Sequence, residues 1–224
     1  MAQNQSFEGV ATAWAEFVRG DGDPAYAWNA PAFLELVPPA RGLTVDLGCG
    51  EGRLARQLAE LGHRVIGVDA SPTLVRLAAE AHPAGDYRVA AAEDLPLDDA
   101  SADLVVAFMA LVDIENAAAA IGESARVLKP GGRFCAALVH PVATAGELAP
   151  DDETFLLNKS YFAQGTQDFP LGETEVTSHH RPLEYYVNAV LESGLVLEAF
   201  RELATRRRAA GRVPMFLHVR ARKP

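Results

Sequence analysis

Val45-Asp46-Leu47-Gly48-Cys49-Gly50-Glu51-Gly52-Arg53 reads as the end of a buried strand, a glycine turn and the start of a helix. Seventeen residues beyond Gly52, Asp69 closes a second apolar run, Arg64-Val65-Ile66-Gly67-Val68-Asp69. A glycine turn at one strand end with an acid at the next is an arrangement that holds a nucleoside. The glycines let the backbone approach the ligand, and the acid accepts hydrogen bonds from ribose hydroxyls.

Outward from this stretch the chain alternates strands and helices. Strand 43–46 leads to helix 51–61, and strand 64–69 to helix 72–81, with Ser71 as N-cap and Pro72 in the first turn. A third strand lies near 86–90. Strand 103–110 leads to helix 115–128, the tight turn Lys129-Pro130-Gly131-Gly132 and strand 133–139. The spacing predicts a doubly wound, Rossmann-like α/β fold with a mainly parallel seven-stranded sheet. Ahead of it, 7–19 is helical by the spacing of Val10, Trp14, Phe17 and Val18, and a short helix near 30–37 stops at Pro38-Pro39. Behind it come helix 182–193 and strands 195–202 and 213–221, which pair antiparallel at one sheet edge. Residues 141–180 break the rhythm, with aromatics among prolines and glycines, and read as an irregular cover over the site. The whole chain, 1–224, is expected to form one domain: N-terminal helical lid segment 1–40, binding core 41–140, lid insertion 141–180, and C-terminal helix and edge strands 181–224.

Of 224 residues, 49% are hydrophobic, enough for an α/β domain with a sizeable core. The net charge of −10 argues against a nucleic-acid-binding enzyme, which needs a basic footprint. Residues 201–224 carry eight Lys/Arg against one acid, which leaves −17 on the first 200. This basic tail reads as solvated strand ends and a loop, or as a contact for an anionic partner. Cys49 and Cys135 have no paired spacing, so a disulfide framework is not expected. The N-terminus lacks a charged-then-apolar leader, and the longest apolar run, Leu104 to Val112, is nine residues. These features lead to the expectation of a cytoplasmic protein, monomeric or homodimeric.

The glycine turn fails the dinucleotide pattern G-x-G-x-x-G, because Arg53 stands where the third glycine belongs. Acids in and beside the turn would repel a pyrophosphate but not a ligand carrying an ammonium and a sulfonium. No phosphate-binding G-x-x-x-x-G-K-[ST] loop is present. Together with Gly67-Val68-Asp69-Ala70-Ser71, Ala92-Glu93-Asp94-Leu95-Pro96-Leu97 and Val127-Leu128-Lys129-Pro130-Gly131-Gly132-Arg133, the turn resembles the class I S-adenosylmethionine-dependent methyltransferases, in their type-11-like branch. The resemblance covers roughly residues 40–140. Two further stretches, 180–189 and 213–219, are similar to bacterial small-molecule methyltransferases of secondary metabolism.

The resemblance implies S-adenosylmethionine as cofactor and S-adenosylhomocysteine as product. It implies Gly48 and Gly50 beneath the methionine part, Asp46 facing its ammonium, and Asp69 on the ribose. Ala70, Ala92 and Glu93 would flank the adenine, and Phe108 would lie near the methionine end. Tyr26 is either a cofactor contact from the N-terminal segment or a core residue. Many relatives place an acid two residues before the position of Glu93. Ala91 stands there instead, so the adenine must be read by backbone groups or by Glu93 or Asp94.

Methyl transfer from a sulfonium is an in-line displacement in which the protein supplies alignment, dryness and sometimes a base. Three residues are placed for that last role. His140 follows the fifth strand, where it faces the substrate or makes a turn hydrogen bond. Asp113 follows the fourth, where it orients substrate or caps helix 115–128. His180, with Arg181, opens the helix after the insertion. No metal is expected, since His179 and His180 are adjacent and no carboxylate cluster accompanies them. After the fourth strand the chain reads Phe108-Met109-Ala110-Leu111, not the Asn/Asp-Pro-Pro-Tyr of amino-group methylation on adenine or glutamine. The expected substrate is therefore a small organic metabolite, aromatic or heterocyclic. The alternatives are an RNA or protein methyltransferase, or a non-catalytic cofactor-binding regulatory module.

Overall fold

A computed structural model describes residues 5–20, 24–150, 153–171, 174–204 and 210–224. Two helices, α1 (Gln5–Arg19) and α2 (Pro24–Leu34), precede the alternating segment. That segment runs β1 (Leu43–Leu47), α3 (Arg53–Glu60), β2 (Arg64–Asp69), α4 (Pro72–Ala81), β3 (Asp86–Val89), β4 (Ala102–Phe108), α5 (Ala117–Val127) and β5 (Leu128–Val139). After the short helix α6 (Pro141–Thr144) come β6 (Gly146–Leu148), β7 (Phe155–Leu157), β8 (Gly165–Leu171) and β9 (Thr174–His180). Helix α7 (Leu183–Glu192), β10 (Val196–Leu203) and β11 (Phe216–Arg222) complete the order.

Seven strands form one sheet in the order β10-β11-β5-β4-β1-β2-β3. From β1 the chain steps outward to β2 and β3, then returns to lay β4 on the other side of β1. That reversal opens a crevice at the C-terminal tips of β1 and β4, where ligands of such sheets bind. β11 runs antiparallel to both β5 and β10, so the antiparallel strand lies one place in from the edge.

The apolar run of β4 splits by the two-residue period of a strand. Val105 and Ala107 join Val45, Leu47, Ile121, Phe134 and Leu217 beneath α5 and α7. Leu104 and Val106 join Phe33, Leu54, Leu58 and Cys135 beneath α2 and α3. Both faces are covered, which is why β4 reads as a continuous hydrophobic stretch. Two arginines of the basic tail, Arg220 and Arg222, join Arg133 of β5 around Glu198, at 3.1, 3.3 and 2.9 Å. Arg206, Arg207 and Arg208 lie outside the described residues. Among the described residues no helix is long and apolar enough to cross a membrane.

Three sequence expectations need correction. The helix expected near 30–37 is α2, which begins at Pro24, ends at Leu34 and carries Pro31 inside it. The 141–180 segment is not irregular but forms α6 and two hairpins, β6–β7 and β8–β9. In β9 the buried positions alternate as Val176, Ser178 and His180, a strand period concealed by polar side chains. His179 and His180 accordingly close a strand instead of opening α7. Finally, α5 is capped by Asn116, whose side chain accepts from the N–H of Ala119 at 3.1 Å, and not by Asp113.

Candidate functional site

The fully buried β1 feeds a turn in which Gly48, Gly50 and Gly52 all have left-handed φ (68°, 56° and 81°). Gly48 and Cys49 donate their N–H groups to the carbonyl of Val68, which ties the turn to the tip of β2. Asp69, the last residue of β2, then clamps both sides. Its Oδ2 accepts from the N–H of Gly50 at 2.8 Å and its Oδ1 from the N–H of Ser71 at 2.9 Å. A carboxylate offers about four acceptor positions, so these bonds leave acceptor capacity for a ligand hydroxyl. Burial pushes the Asp69 carboxyl above its usual range against the pull of these N–H donors.

Asp46 lies within β1 and is 1% exposed, and its Oδ2 has no hydrogen-bond partner. Burial, helped by the charge of Asp69, raises its pKa to about 7, while the N–H of Ala55 offsets part of the rise. A buried, half-satisfied carboxylate is costly unless something cationic compensates it. An ammonium-bearing ligand on the glycine turn fits that need, and a pyrophosphate does not. Glu51, also buried, is already neutralised by Arg56 at 2.9 Å and Arg19 at 3.1 Å.

The N-terminal helices roof this corner. Glu8 of α1 binds the Ser71 hydroxyl and the Thr73 hydroxyl (2.7 Å) and N–H (3.2 Å) at the start of α4. At the other end of α1, Arg53 donates to the carbonyl of Val18. Tyr26 of α2 lies under the Arg53 guanidinium, 3.6 Å from the ring centroid, and donates to Gln57 at 2.8 Å. Its ring meets that of Phe108 edge-on at 5.3 Å. Tyr26 and Phe108 thus face each other beside the crevice. On the opposite flank, Ala70, Ala92 and Glu93 are partly buried. The Ala92–Glu93 turn is fixed by Ala90 donating to Asp69 O and by Leu95 donating to Glu123 at 2.8 Å.

Beyond β4, Asp113 accepts a hydrogen bond from the Ser178 hydroxyl of β9. Burial raises the Asp113 pKa to about 7, with Ser178 and Arg181 pulling down and Asp69 pushing up. Arg181, 4% exposed, donates to the carbonyls of Leu111 (3.1 Å), Ile114 (2.7 Å) and Glu115 (2.7 Å), and His179 N–H donates to Val112 O. The end of the β8–β9 hairpin is thereby stitched to the loop carrying Asp113. The other side of the hairpin, Leu171 and Val176, packs on Val10 of α1 with Phe7 and Trp14 beside it. One helix therefore touches both the cofactor corner and the lid.

The two candidate histidines are committed elsewhere. His140 caps α6: its Nδ1 accepts from the N–H of Val142 at 3.1 Å, so its Nε2–H donates to Glu202 at 3.0 Å. His180 donates Nε2–H to Tyr161 O at 2.9 Å, and its Nδ1 meets the Thr144 hydroxyl at 2.6 Å. In this arrangement neither ring has a nitrogen left for a substrate proton. Of the three candidates, Asp113 alone belongs to the carboxylate group at the sheet edge. The sequence reading missed Glu8, Asn29 and Ser178, whose roles depend on partners distant in the chain. Among the described residues no three His, Cys, Asp or Glu side chains converge as metal ligands do.

The family model described as a methyltransferase domain matches residues 45–136. A ubiquinone biosynthesis O-methyltransferase of Methylobacterium sp. is 35% identical over 164 residues, 71% of this chain and 62% of that protein. The namesake from Xanthomonas oryzae is 29% identical over 209 residues, 88% of this chain and 85% of that one. The chain spans about six-tenths of the length of the first of these relatives. Among solved structures, an S-adenosylmethionine-dependent methyltransferase from Mesorhizobium loti superposes with a TM-score of 0.77 at 30% identity, covering 89% of this chain and 99% of that one. A Listeria monocytogenes protein at 23% identity shares the fold, with a TM-score of 0.75 over 87% of this chain and 97% of its own.

Proposed function

The chain belongs to the class I S-adenosylmethionine-dependent methyltransferases, and on that premise we propose that it methylates a small organic metabolite, aromatic or heterocyclic, held beneath the 141–180 segment. The observation that carries the reading is the group of carboxyls with raised pKa at one sheet edge: Asp46 with its unpartnered Oδ2, Asp69 at the tip of β2, and Asp113 beyond β4. When bound, S-adenosylmethionine supplies an electrophilic methyl carbon whose bond to sulfur breaks as the acceptor atom bonds to it. Asp46 balances the positive charge of the cofactor's amino-acid end, and the glycine turn admits its backbone. Asp69 holds the ribose with the acceptor positions not used by Gly50 and Ser71.

Asp113 receives the acceptor's proton. It is a carboxylate held by Ser178 and poised by burial near neutral pH, where a base works best. His140 and His180 shape the walls. A small acceptor is favoured by the packing of the lid hairpin on α1 through Leu171, Val176 and Val10, and by the overall acidity of the chain. The relatives named as ubiquinone biosynthesis O-methyltransferases support an oxygen as the acceptor atom. The whole of 1–224 acts here as one methyltransferase domain, in a cytoplasmic setting where the buried thiols Cys49 and Cys135 stay reduced.

Two measurements test this. Calorimetry should show S-adenosylmethionine binding and NAD not binding; the reverse order removes the cofactor assignment. Mass spectrometry of reactions with catechols, hydroxylated heteroaromatics, tRNA and peptides should show a gain of one methyl on a small ring compound. Methylation confined to tRNA or peptide overturns the substrate class.

A further inference from the structure

Among the described residues only two non-glycine residues have positive φ, and one of them, Met109 at 61°, directly follows β4 at the crevice. Such a conformation is unfavourable for a residue with a Cβ, and a side chain in it needs a local reason. Met109 N–H donates to Ala137 O at 2.7 Å, which extends the β4–β5 ladder by one residue. Its Sδ accepts from Asn29 Nδ2 at 3.2 Å. Asn29 is 1% exposed, and its Oδ1 accepts from Nε2–H of His218, a fully buried residue of β11 whose Nδ1 has no partner.

Tyr26, Asn29 and Phe33 lie three and four residues apart, so they share one face of α2. All three address the same place. Tyr26 and Phe33 meet the Phe108 ring at 5.3 and 5.2 Å, Phe33 also meets His218, and Asn29 holds Met109. The left-handed turn at Met109 has two consequences. It brings Ala110 against the glycine turn, where the Ala110 Cβ fills the space a Cβ on Gly48 would need. It also sets the Ala110 carbonyl to accept from the N–H of Asp113 at 2.9 Å and of Ile114 at 3.3 Å.

We propose that Asn29 is a positioning residue for the transfer: by holding Met109 in its left-handed turn, it fixes Asp113 relative to the glycine turn. The proposal rests on the reading of this crevice as the transfer site. An in-line displacement tolerates little misplacement of its parts, and Asn29 bonds Met109, the residue just before the Ala110 that meets Gly48 and accepts from the N–H of Asp113.

The test combines Asn29→Leu, which keeps the volume and removes the amide, with Met109→Leu, which removes the acceptor sulfur. In protein labelled with [methyl-13C]methionine, Met109 should give one sharp resonance that moves on adding S-adenosylhomocysteine. Asn29→Leu should displace or broaden it while the Met215 resonance stays. With the acceptor identified as above, Asn29→Leu should lower kcat tenfold or more, leave the S-adenosylhomocysteine Kd within twofold, and show the same loss when combined with Met109→Leu. An unmoved Met109 resonance in Asn29→Leu overturns the proposal. So do additive losses in kcat, or a loss confined to the unfolding midpoint. A wild-type protein that methylates nothing overturns the functional reading instead, and the resonance test still stands apart from it. Should Asn29→Leu not fold, the same comparison is made with Met109→Leu alone against wild type, where an unchanged kcat overturns the proposal.

Discussion

A Cβ built on Gly48 stands 2.4 Å from the Cβ of Ala110, so the turn after β1 and the turn after β4 touch with no room for a methyl group. The φ of Gly48, 68°, disfavours any other residue independently of that contact. Gly48→Ala adds a left-handed penalty to an overpacking one, together about 2–4 kcal/mol. We expect a lower midpoint in urea and cofactor binding weakened at least tenfold, because the backbone that receives the methionine part moves. Normal stability with normal binding shows that the two turns are not interlocked.

Asp46 makes cofactor binding depend on pH. Its folded pKa, about 7, lies above the ordinary 3.8. Below 3.8 the group is protonated in both folded and unfolded chains. Between 3.8 and 7 the unfolded chain ionises this carboxyl while the folded one keeps its proton, so the free protein loses stability across that window and carries the full cost above about 7. A cation bound beside it reverses the balance. Affinity for S-adenosylmethionine should therefore rise as pH rises through about 7 and then level off, with proton release seen as a buffer-dependent binding enthalpy. Asp46→Asn should flatten this profile and stabilise the free protein at pH 8. An affinity independent of pH between 6 and 8 in the wild type places the cofactor's charge elsewhere.

Asp113 carries the corresponding prediction for turnover. As the base, it must be ionised, so kcat/KM should climb with pH to a plateau above about 7. Asp113→Asn keeps the size and the bond to Ser178, and should lower kcat by about 10²–10⁴-fold with cofactor affinity retained. His140→Ala provides the contrast. It removes the α6 cap and the bond to Glu202, a cost of about 0.5–2 kcal/mol in stability, and should keep the wild-type pH profile. If the acidic limb disappears in His140→Ala and survives in Asp113→Asn, the two roles are exchanged.

The parts of this site that were legible in the sequence are those whose partners lie nearby in the chain. The glycine turn, the acid at the end of β2 and the cap Ser71 find their partners within about twenty residues, and β–α alternation placed the crevice. From sequence, His140 stays open between a substrate role and a turn hydrogen bond because its Nε2 partner, Glu202, lies 62 residues away, and a histidine after a strand looks the same whether free or bonded. The β8–β9 hairpin was hidden because two of its inward positions are Ser178 and His180, whose burial is made affordable by Asp113, Thr144 and Tyr161 and not by apolarity. The sequence reading places the start of α2 too late; packing of Phe33 and Asn29 on the sheet carries the helix through Pro31.

Arg181 holds the lid in a way that charge alone does not explain. Its guanidinium reaches three carbonyls, of Leu111, Ile114 and Glu115, from the residue just after β9. A planar fork with five donors serves three acceptors in fixed directions, and an ammonium on a flexible stem does not. Arg181→Lys keeps the charge near Asp113 but strands the buried carbonyl of Leu111 and loosens the part-buried bonds to Ile114 and Glu115, at a cost of about 1–3 kcal/mol. Because the other end of the hairpin rests on α1 through Val10, Leu171 and Val176, the loss should appear as local opening before global unfolding. We expect faster amide exchange in residues 174–180, with exchange in β1 and β4 unchanged, and a higher KM for the acceptor. Exchange that accelerates equally across the whole sheet shows that Arg181 supports the core and not the lid.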